Sequence, residues 1–169
     1  MNIFYFYDCP VASAKAQPDK LLVKMPLESA QMLCASHREL DGDEFADANG
    51  LYRSTHKHHP CSVWVRETSA NYMWLYDHFV ALSNEYTKRY GRTHASFAKL
   101  HEVLKTLPKN LTRGEMTTVK QAMPDEYKDP DPKVAYRNYV RYEKYYAKWD
   151  KIPSRRPEWW YKDEEKQHD

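Results

Sequence analysis

Ser69 and Gly91 bracket a stretch in which Tyr72, Leu75, Tyr76, Phe79, Leu82 and Tyr86 recur at steps of three and four. That period lays an apolar stripe along one side of an α-helix. Ser69 suits the helix start, and Gly91 suits a left-handed cap at its end. A helix of this length needs other helices to bury its stripe. Only four glycines occur in 169 residues, and 30% of residues are charged. Both values favour helices over a turn-rich β architecture. The length fits a single domain with a sizeable core.

The rest of the chain reads the same way. Met1–Tyr7 is an apolar strand or extended arm, ended by Asp8-Cys9-Pro10. Pro18-Asp19 opens a helical pattern reaching about Leu40, and Pro26 inside it is expected to kink or split the helix. Asp41 to Leu51, acidic and holding two glycines, reads as a surface loop. Ser54 to Pro60 is a polar connection, Ser62 to Glu67 a short helix, and Ala95 to Thr106 another. Leu107 to Pro132, with four prolines, reads as loop. Pro132 then opens a last helix whose length is limited by Pro153. The expectation is a compact all-α domain over residues 1–169, a bundle of four to six helices with long loops. A short extended arm (1–10) precedes it and a tail (152–169) ends it.

That last helix carries the strongest functional signal. Lys133, Arg137, Arg141, Lys144, Lys148 and Lys151 follow at steps of four, four, three, four and three. On one continuous helix these cations share a face, and Tyr136, Tyr139, Tyr142, Tyr145 and Tyr146 interleave with them. Cations bind phosphates and aromatic rings stack on bases, so the pattern suits DNA or a nucleotide. The competing reading is a solvated charged face backed by a tyrosine core stripe. Net charge is only +2, but it is polarised. Residues 1–50 hold four Lys and Arg against eight Asp and Glu; the remainder holds 22 against 16. Three cysteines cannot all pair, which argues against a disulfide framework and for a reducing cytoplasm. No apolar run is long enough for a membrane span.

Three constellations offer chemistry. Lys20, Lys24, Glu28 and Gln31 share one face of the early helix, so Lys24 and Glu28 form either a surface ion pair or a cation beside a general acid/base. His56-Lys57-His58-His59-Pro60-Cys61, followed by Arg66, places imidazoles and a cation near a helix start. Proton transfer or phosphate binding fits His59 and Arg66 better than zinc, because Cys34, His37, His59 and Cys61 lack familiar zinc spacings. Glu85 with Lys88, Arg89, Arg92 and His94 ends the long helix, where cations suit either the macrodipole or a phosphate. No P-loop, dinucleotide fingerprint, nucleophile elbow or H-E-x-x-H motif occurs, and no metal or cofactor is called for.

Three blocks resemble a family of small proteins encoded by tailed bacteriophages: Asp19–Met25 with Glu28–Leu33, His59–Trp64 with Arg66 to Leu75, and Glu85-Tyr86-x-x-Arg89-Tyr90-Gly91. Ala135-Tyr136-Arg137-x-Tyr139 extends the likeness. That family commonly has His where this chain has Leu21, and an aliphatic residue at Pro26. More distantly, the layout is similar to the phage pyrimidine-dimer DNA glycosylases, all-α enzymes that excise a damaged base and nick the strand. There an Asp-Gln-His-like triplet opens the early helix and a catalytic glutamate follows two turns later. Asp19-Lys20-Leu21 and Glu28 occupy these places. Met123-Pro124-Asp125-Glu126-Tyr127 and Arg156-Pro157-Glu158-Trp159-Trp160 match the family's acidic loop and aromatic tail.

The resemblance implies a DNA-glycosylase-like hydrolase or transferase acting on a base–sugar bond or modified base, in the cytoplasm of an infected host. Glu28, Lys24 and His59 would carry the chemistry; Lys20, Arg66, Arg89, His94, Lys133, Arg137, Arg141 and Lys144 would hold phosphates. The family's nucleophile is the α-amine exposed by removal of the initiator Met ahead of a small residue. Here Asn2 is too large for that removal, so the nucleophile would be the Met1 amine or a lysine such as Lys24. The rival readings are a non-catalytic phage protein that binds a nucleotide signal or a host protein, and an architectural DNA-binding protein.

Overall fold

The computed structural model describes residues 1–161 and contains seven α-helices and two short 3-10 turns, with no strand among these residues. The helices are α1 (Pro10–Lys15), α2 (Asp19–Asp41), α3 (Asp43–Ala48), α4 (Pro60–Val65), α5 (Ser69–Tyr90), α6 (Ala95–Leu104) and α7 (Pro132–Glu143). The all-α expectation holds. The count exceeds the expected four to six by one; α1 and α3 are six-residue elements not expected individually, and α3 lies in a segment read as a loop. Residues 162–169 of the expected tail lie outside the described residues.

The long helices α2 and α5 pack on each other, with α1, α4 and α6 against them. The stripe expected on α5 is buried from Tyr72 to Tyr86. Thr68, one residue earlier than expected, caps it by accepting the amide of Asn71 at 3.1 Å. Gly91 ends it at φ 73°, ψ 19°. In α2, Pro26 neither splits the helix nor ends it. Leu21, Leu22, Met25 and Pro26 are all buried, so packing along both flanks holds the helix through the missing amide. His94 caps α6, its Nδ1 accepting the amide of Ser96.

The N-terminal arm forms no strand and is not extended throughout: Phe4 turns it in the left-handed region at φ 58°, and the arm threads the core. Asn2 through Phe6 are all buried, with Phe6 fully so. A run apolar on both sides suits burial on both sides. Its backbone polar groups bond side chains of α1 and of the turn after it: Ser13 Oγ accepts the amide of Phe6 and donates to the carbonyl of Phe4, to which Gln17 also donates.

The last helix departs most from expectation. It stops at Glu143, so Lys144, Lys148 and Lys151 are not on it and the six cations share no single face. A tertiary capture takes over. The amide of Asp19 donates to the carbonyl of Lys148 at 2.8 Å. Asp19 Oδ2 accepts the amides of Asp150 and Lys151, and the Trp149 indole donates to the carbonyl of Ala16. These bonds hold residues 148–151 against the start of α2 in a non-helical course.

Candidate active site

Glu28 sits mid-way along α2 with its side chain 17% exposed. The N-terminal arm, held in the core, delivers the chain terminus to it. The Met1 amine lies 3.2 Å from Glu28 Oε1, and the amide of Asn2 donates to the same oxygen at 3.2 Å. Asn2 fixes this approach. Its Oδ1 accepts the amide of Ile3 at 2.8 Å, and its Nδ2 donates to the carbonyl of Ala122 at 3.0 Å. Sequence reasoning missed Asn2 as a positioning residue. The signal was present, since asparagine commonly bonds the backbone just beyond itself.

His59 is the N-cap of α4, where its Nδ1 accepts the amide of Cys61 at 3.1 Å. That bond leaves the ring proton to Nε2 in the neutral imidazole. Burial lowers the pKa of His59; the positive Met1 amine and His56 lower it further, and Glu28 opposes them. His59 therefore feels both charges of the terminal pair. Burial pushes the Cys61 thiol up to about 11, so it is no nucleophile at neutral pH. A cavity of about 630 Å³ runs from Pro60, next to His59, along Thr118–Gln121 to Lys128–Pro130.

The remaining candidates divide. Lys20 and Lys24 are exposed on α2 and line a separate cavity of about 370 Å³ with Leu21, Val23, Tyr90 and Tyr146. Leu21, where the resembling family commonly has histidine, is 1% exposed and belongs to the core. Arg66 donates from Nη2 to the carbonyl of Lys57, while its Nη1 is buried without a hydrogen-bond partner among the described residues. An unmatched guanidinium nitrogen beside the His59 loop suits an incoming anion.

Other cations are already occupied. Arg89, expected at a phosphate, has a fully buried side chain bound by Glu85 at 2.8 Å and Asp19 at 3.1 Å, and by the carbonyls of Gln17 and Lys15. This corrects the phosphate reading, since a cation so enclosed is matched internally. His94 uses both ring nitrogens, on Ser96 and on the carbonyl of Val23. Lys133 pairs with Asp8 at 3.2 Å, and Arg137 donates to the carbonyl of Phe6 while lying 4.7 Å from the Tyr7 ring. Arg141 lies 3.8 Å from the Tyr161 ring, and Lys144 lies 5.6 Å from that of Tyr139. The structure thus brings Glu28 and His59 together with the Met1 amine, and leaves the α7 cations in a separate aromatic setting.

No cluster of three or more histidine, cysteine or acidic groups suited to a metal ion occurs among the described residues. No helix among them is long and apolar enough to cross a membrane. An amine held against a carboxylate, with an imidazole alongside, is an arrangement for nucleophilic and acid/base chemistry. No curated protein and no solved structure matches the chain. The model of the pyrimidine dimer DNA glycosylase family matches residues 1–98, more than half of the chain and the part that supplies Met1, Glu28 and His59. The chain is therefore a member of the pyrimidine dimer DNA glycosylase family.

Proposed function

We propose that the protein cleaves a base–sugar bond in DNA, with the Met1 amine as nucleophile and Glu28 as its carboxylate partner. The observation that carries this reading is the 3.2 Å contact between the Met1 amine and Glu28 Oε1. An α-amine gives up its proton about two to three pH units below a lysine, which makes it the more available nucleophile at neutral pH. In the proposed step the neutral amine nitrogen bonds to C1′ of the target nucleotide while the C1′–base bond breaks. The base leaves with the bonding pair and takes up a proton. Glu28 stabilises the positive charge that develops on the sugar, then accepts the proton released from the amine. Opening of the sugar ring yields an iminium, the intermediate from which strand nicking follows.

His59 Nε2–H suits a hydrogen bond to the leaving base, which takes its proton from water, and Arg66 suits the flanking phosphate. Lys24, one turn before Glu28, adds positive charge on the same face of α2. Aromatic stacking would offset part of the cost of extracting a base from a duplex. The likeness to tailed-phage proteins supports a setting for this activity in the cytoplasm of an infected host cell.

The test is base release from dimer-containing DNA, with borohydride to trap the iminium and peptide mass analysis to find the attached residue. The expected adduct lies on the Met1 peptide. Glu28→Gln lowers the rate of base release by about 10²–10⁴-fold, the usual worth of a positioned acid/base group. Equal rates in the two proteins remove Glu28 from its role, and an adduct on Lys24 removes Met1.

A further inference from the structure

Beyond residue 98, where the family match ends, the chain builds a feature against α2 that the terminal amine and Glu28 do not use. Lys144 to Ala147 form a tight turn closed by the Ala147 amide on the carbonyl of Lys144 at 2.8 Å. The course that follows is clamped to the start of α2 through Asp19 and through the Trp149 indole. The turn is thus a fixed tip. It presents Tyr145 at 77% exposure, the most exposed large hydrophobic residue among those described, edge-on to Tyr146 with ring centres 5.8 Å apart.

Beside this tip lies the cavity of about 370 Å³ whose walls are Lys20, Lys24, Tyr90 and Tyr146, with Leu21 and Val23. Among the described residues no carboxylate lines it. Lys20 Nζ stands 5.3 Å from the centre of the Tyr146 ring, and Lys151 Nζ stands 5.2 Å from that of Tyr90. Lys24 and Lys20 lie one and two helical turns from Glu28, about 6 and 12 Å along the α2 axis. The cavity thus lies along α2 on the N-terminal side of Glu28, lined by both cations and tyrosine rings. Cations spaced along an aromatic surface are what an unpaired strand needs: charge for the phosphates and π-faces for the bases.

Resting on the reading of the protein as a DNA-acting enzyme, we propose that Lys20, Lys24, Tyr145 and Tyr146 hold an unpaired nucleotide of the strand leaving the active site along α2. The cavity makes unpaired flanking DNA the preferred substrate, because a base kept within the duplex keeps its faces covered and has none to offer Tyr145.

The test measures binding with Glu28→Gln protein, so that no chemistry intervenes. The ligands are a fully paired dimer-containing duplex and the same duplex with three unpaired nucleotides on one side or the other of the lesion. Tighter binding is expected for the unpaired stretch on one side, by about five- to a hundredfold, the range for one base stacked on an aromatic ring. Adding Tyr145→Ala, a change at an exposed tip that leaves the core intact, brings the ratio close to one. Adding Lys20→Ala lowers the slope of log affinity on log salt by about 0.7, one single-strand phosphate contact. A preference that survives Tyr145→Ala, or no preference for either side, overturns the proposal while base release by the wild type leaves the enzymatic reading standing. Loss of all DNA binding together with no base release by the wild type overturns both.

Discussion

Asn2, Glu28 and His59 have different claims on the sequence reader. Glu28 is identified by its place two turns into a helix that opens on Asp19; His59 is identified only as one imidazole among several. Asn2 acquires its role from a carbonyl 120 residues away, that of Ala122. His78 shows a further effect at this scale. It is fully buried, its Nδ1 is 2.9 Å from the carbonyl of Pro10, and its Nε2 has no partner among the described residues. Burial lowers its pKa to about 4, against weaker opposing pulls from the carbonyls of Pro10 and Ile3. Between about pH 6.5 and pH 4 the unfolded chain binds a proton at this site that the folded chain does not. Stability therefore falls as pH drops through that window, by up to about 3 kcal/mol from this group. Thermal melts at pH 7 and 4.5 check this: His78→Asn shows a smaller fall in Tm than the wild type. Some slope remains, because burial also lowers the pKa of His37 and of His59.

Helix ends decide where the elements of this protein stop, and two of them show different physics. α5 stops on a local signal. Gly91 takes the left-handed conformation at φ 73° and its amide bonds the carbonyl of Thr87 at 2.8 Å. A Cβ added there meets nothing within 4 Å, so Gly91→Ala is opposed by backbone conformation alone. The expected cost is about 1 kcal/mol, read as a lower midpoint in urea with an unchanged slope. α7 stops on a distant one. Pro132 and the Asp131 cap, accepting the amide of Lys133 at 3.0 Å, set its start as local chemistry requires. Its end at Glu143 follows from the docking of residues 148–151 on Asp19, which local spacing did not disclose.

For the molecule as a whole, the Arg89 cluster is the joint between the family-like part and the C-terminal part. Arg89 reaches Glu85 on its own helix, Asp19 at the start of α2 and the carbonyl of Lys15 at the end of α1. Arg155 joins from the C-terminal segment, its Nε 3.0 Å from Glu85 Oε2. Burial alone would raise the pKa of Glu85, but Arg155 and Arg89 hold it below the ordinary carboxylate value. Arg89→Leu leaves two carboxylates in a buried setting short of a partner. The expected loss is about 3–5 kcal/mol, measured by urea denaturation, and it exceeds that of Arg155→Leu because Arg155 is partly exposed.

The amino-acid sequence by itself determined the helical class, the α5 stripe, the cap at Gly91 and the start of α7 at Pro132. Each rests on spacing within one or two turns, where neighbours in the chain are also neighbours in space. Tertiary structure alone decided which charges are available. Arg89 and Lys133 appear on helix faces suited to phosphate, yet one is enclosed by carboxylates and the other pairs with Asp8, 125 residues earlier. Only the fold threads the arm through the core to set the Met1 amine beside Glu28, because burying Ile3 to Phe6 on both sides requires partners from α1, α2 and α7 at once. A side chain's type and period are local properties, whereas its partner is settled by packing between distant segments.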